Sequence, residues 1–381
     1  MNTETEKKPL RILQTDYFYQ KYLDSFYAER PDLHLRSSGE QLRELLRDGF
    51  STIHTLTPYL EKYGCESEFI VTNCAPIYRA WARENGVSLP ENGCEEEALR
   101  QRIEHFRPDV LYIGNSDQFN NRFIRKLSFR PGLVLTWRAA DIPFQTDWAE
   151  YDVVLTGLSG IERLAVSLGA KGAERFVPGI PAWVRREIEP VRQDTDVVFV
   201  GGVFALQHAK RLDMLEALAK AATEYGFSLA LHLLCDPSLI RPAMLPYVKE
   251  PLFGIAMHKA LRRGKIVFNM SGSVSLIRSD GSRHLDLAEG DAMSMRLFEG
   301  TAGGSLVLTD ALANISRLFK PGVEIETFAD EKELIEKTLY YLAHDEERNV
   351  IAGNGEKKCL ETWNMENAAD SFMKIVHKWI G

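Results

Sequence analysis

Short apolar runs alternate with helical segments along the whole chain, and this alternation constrains the fold more than any other feature. Arg11–Thr15 (RILQT), Glu68–Thr72, Asp109–Ile113 (DVLYI), Leu133–Trp137 and Val153–Thr156 read as strands in the first half. Asp196–Val200, Ser228–Leu234, Ile266–Met270 and Ser305–Leu308 repeat the pattern in the second. Strands separated by helices pair in parallel and are covered by helices on both faces. The pattern predicts an α/β protein with two doubly wound sheets. Expected helices include Tyr17–Ala28, Arg43–Arg47, Tyr59–Tyr63, Pro76–Glu84, Glu95–Phe106, Lys210–Lys220, Met257–Arg263 and a last one, Met365–Ile380. Asp330 and Glu333 have capping-box spacing and open a helix to Tyr341.

A stretch containing Pro178, Pro181 and Pro190 runs into polar, charged sequence and reads as the linker. It sets an N-terminal domain at 1–185, a linker at 186–195, a C-terminal domain at 196–362 and a terminal helix at 363–381. A chain of 381 residues, 45% of them apolar, has enough material for two cores. Residues 1–9 read as a frayed tail, and 279–290, with an Asp-Gly turn signal, as a mobile loop.

A net charge of −8 argues against broad nucleic-acid binding. No run approaches ~18 consecutive apolar residues, so no transmembrane helix is expected, and the polar N-terminus does not read as a signal peptide. Cys65, Cys74, Cys94, Cys235 and Cys359 are scattered and odd in number, which suits free thiols in a reducing cytoplasm. Asp194-Thr195-Asp196 matches a metal-binding D-x-D pattern, but it lies in the linker before a strand and is rejected as a site. His232, His258, His284 and His344 are isolated, and no His/Cys/Asp cluster has zinc spacing. No P-loop, nucleophile elbow or dinucleotide fingerprint is present.

The chemistry concentrates in Asp291–Asp310, DAMSMRLFEGTAGGSLVLTD. Arg296 and Glu299 lie three apart and share one helical face, Gly303 and Gly304 suit a C-cap, and a buried strand follows. Such a helix start offers N–H groups to a diphosphate, Arg296 adds charge, and Glu299 can accept hydrogen bonds from ribose hydroxyls. Ser294 contributes through the backbone at the helix start, or only as a cap. Gly201 and Gly202 follow a strand and precede a helix, where they form a tight turn or let the backbone approach a phosphate. His208, Lys210 and Arg211 come next and either hold phosphate or decorate the helix surface.

Asp16 lies just past the first strand. It is either a general base facing a cleft or the N-cap of a helix from Tyr17. Asp117 and Asp141 are competing bases at other strand ends. Trp137 reads as core, with Arg138 beside a possible acceptor pocket.

The segments RLFEGTAGGSLVLTD, LFKPGVEI and FADEKELIEKTLYYLAHDEER resemble the C-terminal half of GT-B glycosyltransferases of the family 1 and 4-like group. The likeness points to the subgroup that includes the spore-maturation (CgeB-like) proteins. It runs from Val197 to the C-terminus and extends more weakly to DYFYQKYLDSFY and IVTNCAPIYRAWARENG. The resemblance implies two Rossmann-like domains facing a cleft, with the last helix crossing back to the first domain. It implies that Asp291 and Glu299 are the acidic-x7-Glu pair of a nucleotide-sugar site, with Asp standing where Glu is usual. It implies transfer of a hexose-like unit from a nucleotide diphosphate sugar to an acceptor hydroxyl, in surface-polysaccharide or protein glycosylation. The acceptor would be a carbohydrate, a lipid-linked molecule or a protein. No cofactor and no obligate metal are expected. Two alternatives stay open: a GT-B sugar-nucleotide epimerase or hydrolase, and a non-catalytic sugar-nucleotide-binding scaffold.

Overall fold

The computed structural model describes residues 8–90 and 94–380. Residues 1–7 of the expected tail and the side chain of Cys94 lie outside the described residues. The first half contains β1 (Arg11–Asp16), β2 (Glu66–Val71), β3 (Val110–Ile113), β4 (Leu133–Trp137), β5 (Ile142–Pro143), β6 (Val153–Thr156) and β7 (Gly172–Arg175). Its helices are α1 (Gln20–Ala28), α2 (Ser38–Asp48), α3 (Ala75–Asn85), α4 (Cys94–Phe106), α5 (Asn121–Arg125), α6 (Ser159–Ala165) and α7 (Ala182–Ile188). The second half contains β8 (Thr195–Val203), β9 (Leu229–Cys235), β10 (Val248–Lys249), β11 (Gly264–Phe268), β12 (Ser275–Ile277), β13 (Arg283–Asp286), β14 (Leu306–Asp310) and β15 (Glu326–Phe328). Its helices are α8 (Ala209–Tyr225), α9 (Gly254–Arg263), α10 (Met295–Ala302), α11 (Ile315–Leu318), α12 (Glu331–Ala343), α13 (Asp345–Thr362) and α14 (Met365–Trp379).

Two six-stranded parallel sheets result, in the orders β2-β1-β3-β4-β6-β7 and β10-β9-β8-β11-β14-β15. This is the doubly wound α/β architecture expected from the alternation. In each sheet the connection reverses direction once, beside β1 in the first and beside β8 in the second. The crevice outside the strand ends at such a reversal is where ligands of open α/β sheets bind.

α14 returns to the first sheet. Met365, Phe372, Met373 and Val376 pack with Ile12, Val110, Leu133 and Leu155 in one apolar cluster. Phe372 lies 5.4 Å from Tyr112, ring to ring. Trp379 approaches the start of β7 so closely that a Cβ on Gly172 would sit 2.3 Å from its ring.

Two expectations are corrected here. Tyr59–Tyr63 is not a helix but two single 3-10 turns, Thr57–Tyr59 and Glu61–Tyr63. The stretch 279–290 is not an unstructured loop. β12 and β13 form an antiparallel hairpin across it, turning at Asp280-Gly281, and β12 pairs in parallel with β5 of the first half. Asp141, beside β5, accepts hydrogen bonds from Ser275 N–H (2.7 Å), Arg283 (3.0 Å) and Gln207 (2.9 Å), all in the second half. This small third sheet joins the two halves along one side of the cleft.

Candidate functional site

The carboxyl ends of β1 and β8 face one another across a cavity of about 360 Å³. One wall comes from the loop after β1 (Tyr17, Tyr19) and the turn Gly49–His54. The other comes from Phe199–Gly202, the start of α9 (Phe253, Gly254, Met257), Asn269 and the run Ser294–Glu299. The two sheets therefore bring their reversal points together in one site.

On the second wall, α10 starts at Met295 with Ser294 in the N-cap position. Ser294 does not cap it; its hydroxyl donates to Asn269 Oδ1 at 2.8 Å. The first-turn N–H groups are thus left without a side-chain cap, beside the cavity, in the arrangement that favours an anion. Arg296 Nε donates to the Val200 carbonyl at 2.8 Å and Nη1 donates to Glu299 Oε2. Glu299 is 6% exposed. Burial pushes its carboxyl up, but Arg296, together with His258 and His54, outweighs burial and holds it below the ordinary range. An ionised, buried carboxylate at the edge of a cavity is a strong acceptor for a pair of hydroxyls.

The remaining residues singled out on this side divide. Gly201 and Gly202 do not form a turn. They continue β8 in register with Leu233 and Leu234 of β9 and line the cavity from within the strand. A Cβ on Gly202 would lie 2.8 Å from the Phe204 ring, so the glycine leaves room for that close approach. Arg211 is buried. Its fork donates to the Met270 carbonyl (3.0 Å from Nε) and to the Gly202 carbonyl (2.6 Å), so it braces the strand ends while bordering the cavity. Burial brings its pKa down to about 10. His208 Nδ1 accepts the Phe204 N–H at 3.0 Å, and burial followed by Arg211 pushes the imidazole down to about 3. Lys210 is exposed on the first turn of α8 and lines neither cavity.

Asp291 is separated from Glu299. It borders a second cavity of about 460 Å³, which shares Arg211 and Ser294 with the first. Asp291 Oδ2 accepts from Ser159 N–H (2.9 Å) and Ser159 Oγ (2.6 Å), a residue of α6 in the first half. Asp291 does not open α10, which begins four residues later, so the geometry gives it a fastening role across the cleft.

On the first wall, Asp16 is not a helix cap, because α1 begins at Gln20 after Tyr19. Its carboxylate accepts Tyr17 N–H at 2.8 Å and the Ser51 hydroxyl at 2.6 Å. Burial lifts its pKa to about 6 in spite of both bonds. Asp117 is paired with Arg138 at 2.7 Å and borders neither cavity. Trp137 is packed between His54 (5.6 Å) and Phe176 (5.9 Å). Sequence reasoning missed Ser51, His54 and Asn269. Asn269, at the end of an apolar strand run, carried a readable signal. Ser51 and His54 lie in a turn with no motif, and only the tertiary fold brings them to the site. Burial pushes His54 down to about 4, so its imidazole is neutral near pH 7.

Comparison with known proteins accords with this geometry. Residues 210–374 match a family model described as glycosyl transferase-like. No curated protein matches the sequence. Among solved structures, a glycosyltransferase from Rickettsia africae ESF-5 is similar over 98% of this chain and 99% of its own, at 10% identity and a TM-score of 0.59. AviGT4, a glycosyltransferase involved in avilamycin A biosynthesis, is similar over 98% of both chains, at 13% identity and a TM-score of 0.57. HepE of Anabaena, solved in complex with UDP-glucose, is similar over 97% of this chain and all of its own, at 10% identity and a TM-score of 0.56. At these identities the likeness is one of fold. No helix among the described residues is long and apolar enough to cross a membrane. The chain thus carries a glycosyl transferase-like match over residues 210–374 and has the two-domain GT-B fold of these glycosyltransferase structures.

Proposed function

We propose that the chain is a glycosyltransferase, a cytoplasmic hexosyltransferase of the CgeB-like group that uses a uridine diphosphate sugar. The observation that carries the reading is the buried, ionised Glu299, paired with Arg296 at the uncapped start of α10 and facing the cavity. In this reading Glu299 accepts the ribose hydroxyls. Arg296 and the first N–H groups of α10 stabilise the diphosphate as charge grows on it during bond cleavage. Gly201 and Gly202 admit the donor against bare backbone. The UDP and UDP-glucose complexes of HepE support a uridine donor. Residues 196–362 then form the donor domain and 1–185 the acceptor domain, joined by the linker 186–195.

The acceptor enters past Tyr17 and Tyr19, which are 41% and 49% exposed at the cavity mouth. Exposed rings beside Ser51 and His54 suit a saccharide hydroxyl acceptor. Asp16 is the base in this reading in preference to Asp117, which is paired with Arg138, and no metal takes part.

A thermal-shift panel of UDP, GDP, dTDP and CMP sugars tests the donor class. A ligand at 100 times its dissociation constant stabilises the fold by ~2.7 kcal/mol. UDP sugars should shift the wild type, with no shift for Glu299→Ala or Arg296→Ala. A shift with another nucleotide class alone rejects the uridine donor, and no shift with any class rejects the donor-site reading.

A further inference from the structure

We propose that the acceptor hydroxyl gives up its proton through Ser51, which hands its own proton to Asp16. The inference rests on the glycosyl-transfer reading and removes a gap in it. Asp16 has the environment of a base but does not line the cavity; Ser51 does. The Ser51 hydroxyl donates to Asp16 Oδ2 at 2.6 Å, and the other carboxylate oxygen is occupied by Tyr17 N–H at 2.8 Å. With its only proton committed to Asp16, the Ser51 oxygen has lone pairs alone to offer the cavity. It is therefore an acceptor for an incoming hydroxyl.

The backbone at Ser51 points the same way. Its φ is 54°, in the left-handed region that favours glycine and is uncommon for serine. Gly49, two residues earlier, adopts a positive φ as glycine does without cost. Strain of this kind persists only where the surroundings fix it, and it clusters at functional sites. A serine where glycine fits more easily places a hydroxyl on the wall opposite Arg296 and Glu299.

The step balances. The acceptor oxygen bonds to the anomeric carbon while the bond from that carbon to the diphosphate oxygen breaks, its electron pair leaving with the nucleoside diphosphate. The acceptor proton passes to Ser51 Oγ as the Ser51 proton passes to Asp16 Oδ2, and solvent takes it after product release. A single displacement of this kind, with a base taking the acceptor proton as the diphosphate leaves, inverts the anomeric configuration. Burial sets Asp16 near 6, a stronger base than an ordinary carboxylate. The titratable group that interacts with it is Tyr112 of β3, whose phenol is raised by burial and by Asp16 itself; His54, on the same cavity wall as Ser51, is neutral above about pH 4. Across the cavity Arg296 and Glu299 neutralise each other.

The test compares Ser51→Gly, Ser51→Ala and Asp16→Asn with the wild type in kcat, donor Kd, pH profile and product anomeric configuration. Glycine suits the local backbone, so Ser51→Gly removes the hydroxyl without adding strain. We expect an unchanged donor Kd, kcat lower by about 100-fold in all three variants, and an inverted product. The wild-type kcat/KM should bend near pH 6, and that bend should vanish in Ser51→Gly. A Ser51→Gly enzyme with wild-type kcat, or a product with retained configuration, overturns the proposal. If the wild type binds no nucleotide sugar, the glycosyl-transfer reading itself has failed. Donor binding with full turnover in Ser51→Gly sinks only the Ser51 step.

Discussion

At the scale of single residues, the site is governed by burial working against charge. His54 and His258 are pushed down to about 4 and His208 to about 3, each mainly by burial. An unfolded histidine takes up its proton near pH 6.5. Between that value and about 4 the unfolded chain binds protons that the folded one refuses, so stability must fall as pH falls through this window. Asp16, raised to about 6, acts in the opposite sense, because the folded state holds its proton more tightly than the unfolded one. Asp48 and Asp310 are raised as Asp16 is, while His232 and the carboxylates of Glu299, Asp196 and Glu97 are lowered and add to the histidines' effect, so the balance is a net loss. Denaturation midpoints measured from pH 7.5 to 4 should decline, and the double substitution His54→Gln, His258→Gln should flatten the decline. A wild-type midpoint that does not move would show that these imidazoles are not held neutral. Little of this was legible in the sequence. An isolated histidine carries no mark of its burial, which is set by segments far away in the chain. Glu299 and Arg296 were legible because both lie on one short helix, where spacing alone fixes which side chains meet.

At the scale of elements, local signals were read well and strand ends poorly. α10, β14 and the capped start of α12 follow from apolar spacing, glycine and an Asp cap; Asp330 does accept the Glu333 N–H at 2.9 Å. Gly201 and Gly202 looked like a turn because glycine is rare inside strands. Pairing with β9 carries β8 through them, and that pairing is not visible locally. The β12–β13 hairpin escaped for a related reason. Its strands are short and polar, and β12 gains its place by pairing with β5, more than 130 residues away. Asp141 anchors this element. Asp141→Ala removes three hydrogen bonds that tie the hairpin and Gln207 to the first half. Limited proteolysis should then cut the 275–286 segment faster than in the wild type, while UDP affinity is retained. Unchanged cleavage would mean that the β5–β12 pairing holds the hairpin without Asp141.

At the scale of the whole molecule, two sheets of similar winding meet at their reversal points, and α14 fastens the C-terminus to the first sheet. Phe372 is fully buried in that seam. Phe372→Ala should cost about 3–5 kcal/mol, seen as a lower denaturant midpoint with unchanged slope. The cleft between the sheets divides into two cavities, with Glu299 in one and Asp291 in the other. The resemblance placed both acids in a single donor site; in the structure Glu299 lines the first cavity, and Asp291 borders the adjoining second one and accepts from Ser159. The most direct test is calorimetric titration of UDP into the wild type, Glu299→Ala and Asp291→Ala. Loss of hydrogen bonds to a buried charged group is worth ~1.5–3 kcal/mol, or roughly 10- to 100-fold in Kd. The structure predicts that weakening for Glu299→Ala and wild-type affinity for Asp291→Ala. Unchanged UDP affinity in Glu299→Ala would contradict the assignment of the donor site.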